Sequence, residues 1–317
     1  MTRVLLPALL LASSALCAQA PIERHAPAVN QELPLQTLHV ETRLVNVALN
    51  VVDSAGAPVG GLNKEDFEIL EDGKPQKIAV FERETTTPLS IVLAIDASES
   101  TLRNERLEKD AAKKFVRATL RDQDELDVME FSDTVRELVS FTNDKKRIDD
   151  GLGNIHQGDA TALYDAIYLA SQRLNETSAA NNRRRVLVLI TDGGDTVKGV
   201  KYTQALEQAQ RAGVLVYSLI IVPIEADAGR NTGGEHALMQ LGMDTGGKFY
   251  YVTEAKDLAP AFAKVSDDLR TQYLLGYYAP QRGRDTSFRN ITLRMKDPAL
   301  AEKYALRYRS GYYANGK

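Results

Sequence analysis

The segment IVLAIDASES, residues 91–100, is an apolar run that stops at a cluster of acid and hydroxyl groups. Five apolar residues without polar alternation read as a strand covered on both faces, the pattern of a parallel sheet layered with helices. Its end delivers Asp96, Ser98 and Ser100 at alternate positions. One carboxylate and two hydroxyls are hard oxygen ligands of the kind a divalent cation such as Mg²⁺ accepts while retaining waters. Asp and Ser are equally the ordinary residues of polar turns, so these ten residues alone leave both readings open.

Outward from this stretch, strand and helix patterns alternate. Arg103 to Leu120 carries Leu107, Ala111, Phe115 and Ala118 at helical spacing. Further strands are expected at 125–131, at 135–141 as an edge, and at 186–190, 214–222 and 249–252. Helices are expected near 145–155, 162–174, 202–211, 235–244 and 258–269. Such alternation predicts an open, doubly wound α/β sheet that is mostly parallel. Both flanks are different. Val45, Val47, Leu49 and Val51 alternate with polar or small residues, short strands follow at 67–70 and 76–82, and Asp72-Gly73 between them marks a hairpin turn. After residue 272 strands return at 272–278, 288–295 and 304–313. Neither flank can bury much alone, so the N- and C-terminal strands are expected to pair into one small β-sandwich with the α/β unit inserted in it. The expected domains are a signal peptide at 1–20, an extended leader at 21–40, the N-terminal strands of the sandwich at 41–87, the α/β unit at 88–271, and the C-terminal strands of the sandwich at 272–317.

The 317 residues are 44% hydrophobic and 26% charged, enough for two buried cores. The opening MTRVLLPALLLASSALCAQA has Arg3, an apolar run from Val4 to Leu16, and small residues at Ala18 and Ala20, as secretory signals do. Its removal takes away Cys17, the only cysteine, and with it any disulfide, thiol nucleophile or Cys-ligated zinc. The expectation is export, periplasmic or secreted, with no membrane span after signal removal, since no later apolar run reaches the roughly eighteen residues required. A formal charge of −4 with no basic stripe argues against nucleic acid as a partner. Arg183, Arg184 and Arg185 precede an apolar strand and read as a solvated strand entry.

Open α/β sheets bind ligands beyond the carboxyl ends of their strands, near the point where strand order reverses. Asp96, Ser98 and Ser100 follow one such strand end. VLVLI ends in Thr191-Asp192-Gly193-Gly194-Asp195, and Gly158 to Asp165 places Thr161 at the start of a helix. Three separate segments thus aim oxygens at one edge. IVLAIDASES, GDATALYDAI and VLVLITDGGD, in this order on these elements, resemble a von Willebrand factor type A (VWA) domain with its metal-ion-dependent adhesion site (MIDAS). The resemblance covers roughly residues 88 to 272. It implies that Ser98 and Ser100 bind the metal directly, Thr161 directly or through water, and Asp96 and Asp192 through bridging waters. The flanks, with GLNKEDFEILEDGKPQKIAVFE and YLLGYYAP, are similar to bacterial exported proteins related to this domain.

With neutral hydroxyls nearest the ion and carboxylates behind water, Mg²⁺ (or Mn²⁺ or Ca²⁺) keeps much of its charge and a free position for an external carboxylate. The expected function is therefore a non-enzymatic, exported binding or adhesion module that captures an exposed Asp or Glu of a protein partner. A Mg²⁺-dependent hydrolase is the alternative from another class; no G-x-S-x-G, H-E-x-x-H or P-loop supports it. A scaffold with a purely structural metal is the third. Individually, Thr161 reads as a helix cap, Asp192 and Asp195 as turn or cap acids, His156 as a solvated loop residue, and Tyr164, Tyr273, Tyr277 and Tyr278 as packing or surface strand residues.

Overall fold

The structure is a computed structural model that describes residues 42–83, 86–98, 105–178, 183–222, 231–280 and 285–314. The expected signal peptide and leader lie outside the described residues.

Four strands open the described chain: β1 (Thr42–Val52), β2 (Phe67–Glu71), β3 (Lys74–Gln76) and β4 (Ile78–Glu82). The α/β unit then runs β5 (Leu89–Asp96), α1 (Glu105–Thr119), β6 (Glu125–Phe131), β7 (Val135–Thr142), α2 (Lys145–Leu152), α3 (Leu163–Ser178), β8 (Arg184–Thr191), α4 (Tyr202–Ala212), β9 (Val214–Ile221), α5 (Thr232–Thr245), β10 (Lys248–Val252) and α6 (Leu258–Arg270). Its six strands lie in the order β10-β9-β8-β5-β6-β7. All neighbours are parallel except β7, which runs antiparallel to β6 at the edge. The chain leaves β5 towards β6 and later returns to the other side of β5 as β8, so the order reverses between these two strands.

Every residue of β5 is buried, as its sequence requires. Ile91, Leu93 and Ile95 belong to the core on one face of the sheet with Phe115, Phe262 and Leu269, the two phenylalanine rings stacking at 4.5 Å. Val92 and Ala94 belong to the opposite core with Leu163, Ile167, Ala209 and Leu238. The sheet is therefore covered on both sides, the condition under which an apolar run without alternation is stable as a strand.

The chain closes with β11 (Tyr273–Pro280), β12 (Phe288–Met295), α7 (Pro298–Lys303), β13 (Ala305–Tyr308) and β14 (Gly311–Tyr313). Two four-stranded sheets result, β13-β1-β11-β4 and β14-β12-β2-β3, each mixing strands from both flanks. Val45, Val47, Leu49 and Val51 of β1 share one core with Phe67, Ile69, Leu275, Tyr277, Ile291 and Leu293. The sandwich of N- and C-terminal strands is thus present, and Glu82, where the chain departs for β5, pairs with Leu274, just after it returns.

Two stretches that read as single strands are each two. Residues 76–82 divide so that β3 pairs with β2 in one sheet and β4 with β11 in the other. Residues 304–313 divide so that β13 pairs with β1 and β14 with β12. At the second corner Ser310 donates its N–H to the Asp244 carbonyl (3.1 Å), and Arg309 bridges to Thr245, so the end of α5 holds the bend. The Asp72-Gly73 turn is as expected, both residues adopting positive φ, 48° and 76°.

The arginine run 183–185 is not a solvated strand entry. All three residues are half-buried. Arg184 donates to the Leu269 carbonyl near the end of α6 (2.9 Å), and Arg185 to the Ala212 carbonyl at the end of α4. Arg183 donates to the Leu89 carbonyl (3.0 Å) and pairs with Glu125 (3.3 Å). The last carbonyls of a helix lack intrahelical donors, and cations there also meet the negative end of the helix dipole.

Candidate functional site

The site is built at the reversal point, where β5 and β8 end side by side. Asp96, 1% exposed, closes β5. Its Oδ1 accepts the Ser98 N–H (3.0 Å) and its Oδ2 accepts the Thr191 hydroxyl (2.7 Å). The Thr191 oxygen in turn accepts the Gly193 N–H (3.1 Å), which ties the end of one strand to the turn after the other. Asp192 folds back on that turn, its Oδ1 accepting the Gly194 N–H (3.0 Å). Gly193 has φ of 85°, a left-handed conformation that disfavours a side chain, and a Cβ there would lie 3.2 Å from backbone atoms of Gly234 and Glu235.

The third segment is stitched through its backbone to the end of β5 and to the loop that follows β8. Gly158 donates its N–H to the Ala97 carbonyl (3.0 Å) and forms a parallel bridge with Ser98. A Cβ on Gly158 would lie 2.7 Å from the Ser132 Cβ, so only glycine passes this close. Thr161 donates its N–H to the Thr196 hydroxyl (2.8 Å), and its carbonyl accepts the N–H groups of Thr196 (2.9 Å) and Val197 (3.3 Å). Ala162 donates to the Ser132 carbonyl (2.7 Å), joining the loop after β6 as well. Ser98 and Thr161 are 3% and 5% exposed, whereas Asp192 is half-buried.

Of the five residues read from the sequence, Asp96, Ser98, Thr161 and Asp192 therefore stand on three segments fastened to one another; Ser100 lies outside the described residues. Burial pushes the Asp96 carboxyl up from its ordinary value to about 6, against the hydrogen bonds from Thr191 and Ser98, and the nearby Asp192 carboxylate adds to the rise. Two acids set together with hydroxyls suit a hard cation, whose charge would reverse this repulsion. The donor set therefore fits a divalent ion of the Mg²⁺ class.

The neighbouring residues have other tasks. Asp195 accepts the Tyr164 N–H (3.1 Å) and so caps the first turn of α3. His156 is 67% exposed, and its N–H is held by buried Glu130 (2.8 Å), itself paired with Arg136. Tyr273 and Tyr277 are packed in the sandwich core, and Tyr278 is exposed. The sequence does not single out Thr191 or Thr196; the local signal for Thr191 is a hydroxyl residue at the very end of the apolar run VLVLI.

Residues 90–264, more than half of the chain, match the sequence profile of the von Willebrand factor type A domain. The chain belongs to that family. Among solved structures similar to this VWA protein, one from Catenulispora acidiphila, itself described as von Willebrand factor type A, aligns with a TM-score of 0.50 at 12% identity, over 86% of this chain and 75% of its own. BatB from Bacteroides thetaiotaomicron aligns at 0.44 and 20% identity, over 56% and 98%. Proximal thread matrix protein 1 from the mussel byssus, solved with a zinc-occupied MIDAS motif, aligns at 0.47 and 18% identity, over 59% and 49%. At 12% identity the likeness to the Catenulispora acidiphila protein is one of fold. Comparison with curated protein sequences gives no match.

Proposed function

We propose that this VWA protein is an exported, non-enzymatic binding module that captures an acidic side chain of a protein partner through a divalent cation. Asp96, Ser98, Thr161 and Asp192 would hold the ion, with Ser100 completing the set implied by the family. The observation that carries the reading is the stitching of the 158–162 segment to the end of β5, through Gly158 to Ala97, and to the loop that follows β8, through Thr161 to Thr196. Such fastening sets oxygen donors from distant parts of the sequence in place before any ligand arrives, which lowers the ordering cost of binding. When bound, the ion supplies a positive, exchangeable coordination position for a partner's carboxylate. The chain's own residues orient the site: Thr191 aims Asp96, and the turn through Gly193 lets Asp192 accept the Gly194 N–H.

The test is metal-dependent melting combined with partner capture. A ligand that binds only the folded state stabilises it by about 2.7 kcal/mol at a hundred times its dissociation constant, so Mg²⁺ or Mn²⁺ should raise Tm and a chelator should reverse the rise. Asp192→Ala should lose most of this shift while the metal-free protein melts as before. A glutamate-bearing peptide surface should be retained only with metal present, and its Gln version far less. Full metal stabilisation in Asp192→Ala, or equal capture without metal, would overturn the proposal.

A further inference from the structure

A second concave site lies at the opposite, amino edge of the six-stranded sheet, where the outer face of β1 and β11 approaches the starts of β8 and β9. It is a cavity of about 480 Å³, within the range of roughly 300–1,000 Å³ that accommodates small ligands. Arg183, Arg184, Arg185, Arg211 and Arg309 line it, and no Asp or Glu does so among the described residues. Five guanidinium groups surround one void, and carboxylates outside the lining offset only part of their mutual repulsion, Glu125 beside Arg183 (3.3 Å) and Glu207 beside Arg211 (2.7 Å).

Each of the five has a structural partner: Arg183 pairs with Glu125 and holds the Leu89 carbonyl, Arg184 and Arg185 hold helix-end carbonyls, Arg211 pairs with Glu207 one helical turn earlier (2.7 Å), and Arg309 donates to the Asn46 carbonyl (2.6 Å). Fastening alone requires no open volume, and apolar packing would fill the space better. Arg211 also sits over the Tyr313 ring at 4.0 Å, and Arg309 over Tyr312 at 5.5 Å, which fixes planar donors against rigid walls. Leu44, Leu215 and Leu274 supply an apolar part of the lining. Burial draws the Arg184 guanidinium down to about 10, which leaves it cationic at neutral pH. Its Nε is buried without a hydrogen-bond partner among the described residues.

We propose that this cavity binds a small multivalent organic anion, its phosphate or carboxylate groups held by the Arg183–Arg185, Arg211 and Arg309 guanidinium groups and its carbon frame against Leu44, Tyr312 and Tyr313. Guanidinium forks match carboxylate and phosphate oxygens in pairs, which suits both chemistries. The site is independent of the metal reading, because it lies at the other edge of the sheet and uses none of the same residues.

The experiment uses the full chain, stripped of metal on a chelating resin so that the carboxyl-edge site is silent. Pyrophosphate and citrate are titrated calorimetrically at matched ionic strength, with sorbitol as the uncharged control. At least one anion should bind saturably at one per chain, and the stronger of the two identifies the favoured group. Arg211→Gln should weaken that binding by about tenfold, the worth of a charge-assisted hydrogen bond. Modification of arginines by phenylglyoxal, mapped by mass spectrometry, should show Arg211 and Arg309 protected when the anion saturates the wild type. If Arg211→Gln melts lower by itself, this protection pattern decides. Absence of saturable binding by both anions, binding at full strength in a normally folded Arg211→Gln, or no protection would overturn the proposal.

Discussion

Strand β8 joins two edges of one sheet that are built in opposite ways. At its start, Arg184 and Arg185 reach the carbonyls that end α6 and α4, and Arg270 similarly reaches Ala118 near the end of α1. At its finish, Thr191 and Asp192 stand among helix beginnings, with Asp195 capping α3 and Asn231 capping α5 through the Gly234 N–H (2.9 Å). The polarity follows from the topology. In a doubly wound parallel sheet the crossover helices run back against the strands, so their positive ends gather at the carboxyl edge and their negative ends at the amino edge. Acids and hydroxyls are tolerated on one side, arginines on the other. The sandwich then packs against the amino edge, and Asn50, 1% exposed, donates to the Asp268 carbonyl across the junction (2.9 Å). The edge that fastens the second layer is thus the cationic one, while the carboxyl edge carries the candidate site.

The largest effect should come from removing a portion of the layer at the amino edge. A chain ending at Ala279 lacks β12, β13 and β14, and with them Ile291, Leu293, Met295 and Tyr312, all members of the sandwich core. Each buried side chain of this size is worth about 1.5–3 kcal/mol, so the loss rivals the whole stability of an ordinary domain. The β2–β3 hairpin would remain without its β12 partner, and an isolated hairpin is marginal in water. The truncated protein is expected to be poorly soluble and readily cleaved between residues 45 and 82. If it stayed soluble with wild-type protease resistance there, the flanks would not fold as one unit.

A buried acid away from both edges separates general electrostatics from the site. Asp127 on β6 is fully buried, and burial together with the neighbouring Glu137 carboxylate pushes its carboxyl up to about 8, with Arg173 at 3.7 Å acting the other way. In the unfolded chain this group ionises near 3.8. Between these values the folded state holds a proton that the unfolded state has released, so stability falls as pH rises from about 4 to about 8 and levels off above that. The slope contributed by one such group is at most about 1.4 kcal/mol per pH unit. Asp127→Asn should flatten it and leave the variant more stable than wild type at pH 8. Denaturant unfolding across this range checks the sign: an unchanged slope in Asp127→Asn would assign the effect elsewhere.

What is legible from sequence divides along physical lines. The continuous apolar runs of β5 and β8 specify strands covered on both faces, and these two strands carry the reversal point with them. The alternation of β1 and β12 likewise shows sheets with one buried face. The corners at residue 77 and at Arg309-Ser310 are not legible, because alternation continues through a bend and only long-range contacts, such as Ser310 with Asp244, create it. Arg183 to Arg185 mislead for a similar reason. Three adjacent charges suggest solvent locally, yet their carbonyl partners at Leu269 and Ala212 come from helices ending far along the chain. At the site, the segments bearing Asp96, Thr161 and Asp192 are legible from residue type and position at element ends. The role of Thr191 is not, since its hydroxyl is identified only by the Asp96 oxygen it meets.

That hydroxyl offers the smallest and most selective perturbation of the two-edge contrast. Thr191→Val keeps the size and branching of a side chain that is fully buried, so the core on either face should pack unchanged. What disappears is one donor to Asp96 Oδ2 and one acceptor for the Gly193 N–H. The expected destabilisation without metal is about 1–3 kcal/mol, the usual range for leaving a buried polar group unsatisfied. No charge and no oxygen assigned to the ion is removed, so a purely structural Thr191 would lower Tm equally with and without Mg²⁺. A positioning role predicts more: with the Thr191 tether of Asp96 lost and the Gly193 N–H without its acceptor, the Mg²⁺-induced rise in Tm should shrink as well. The decisive measurement is the difference between metal-bound and metal-free melting in the variant against the same difference in wild type. Equal differences would confine Thr191 to holding the strand end, and the carboxyl edge would then owe its arrangement to the backbone seams at Gly158 and Thr161 alone.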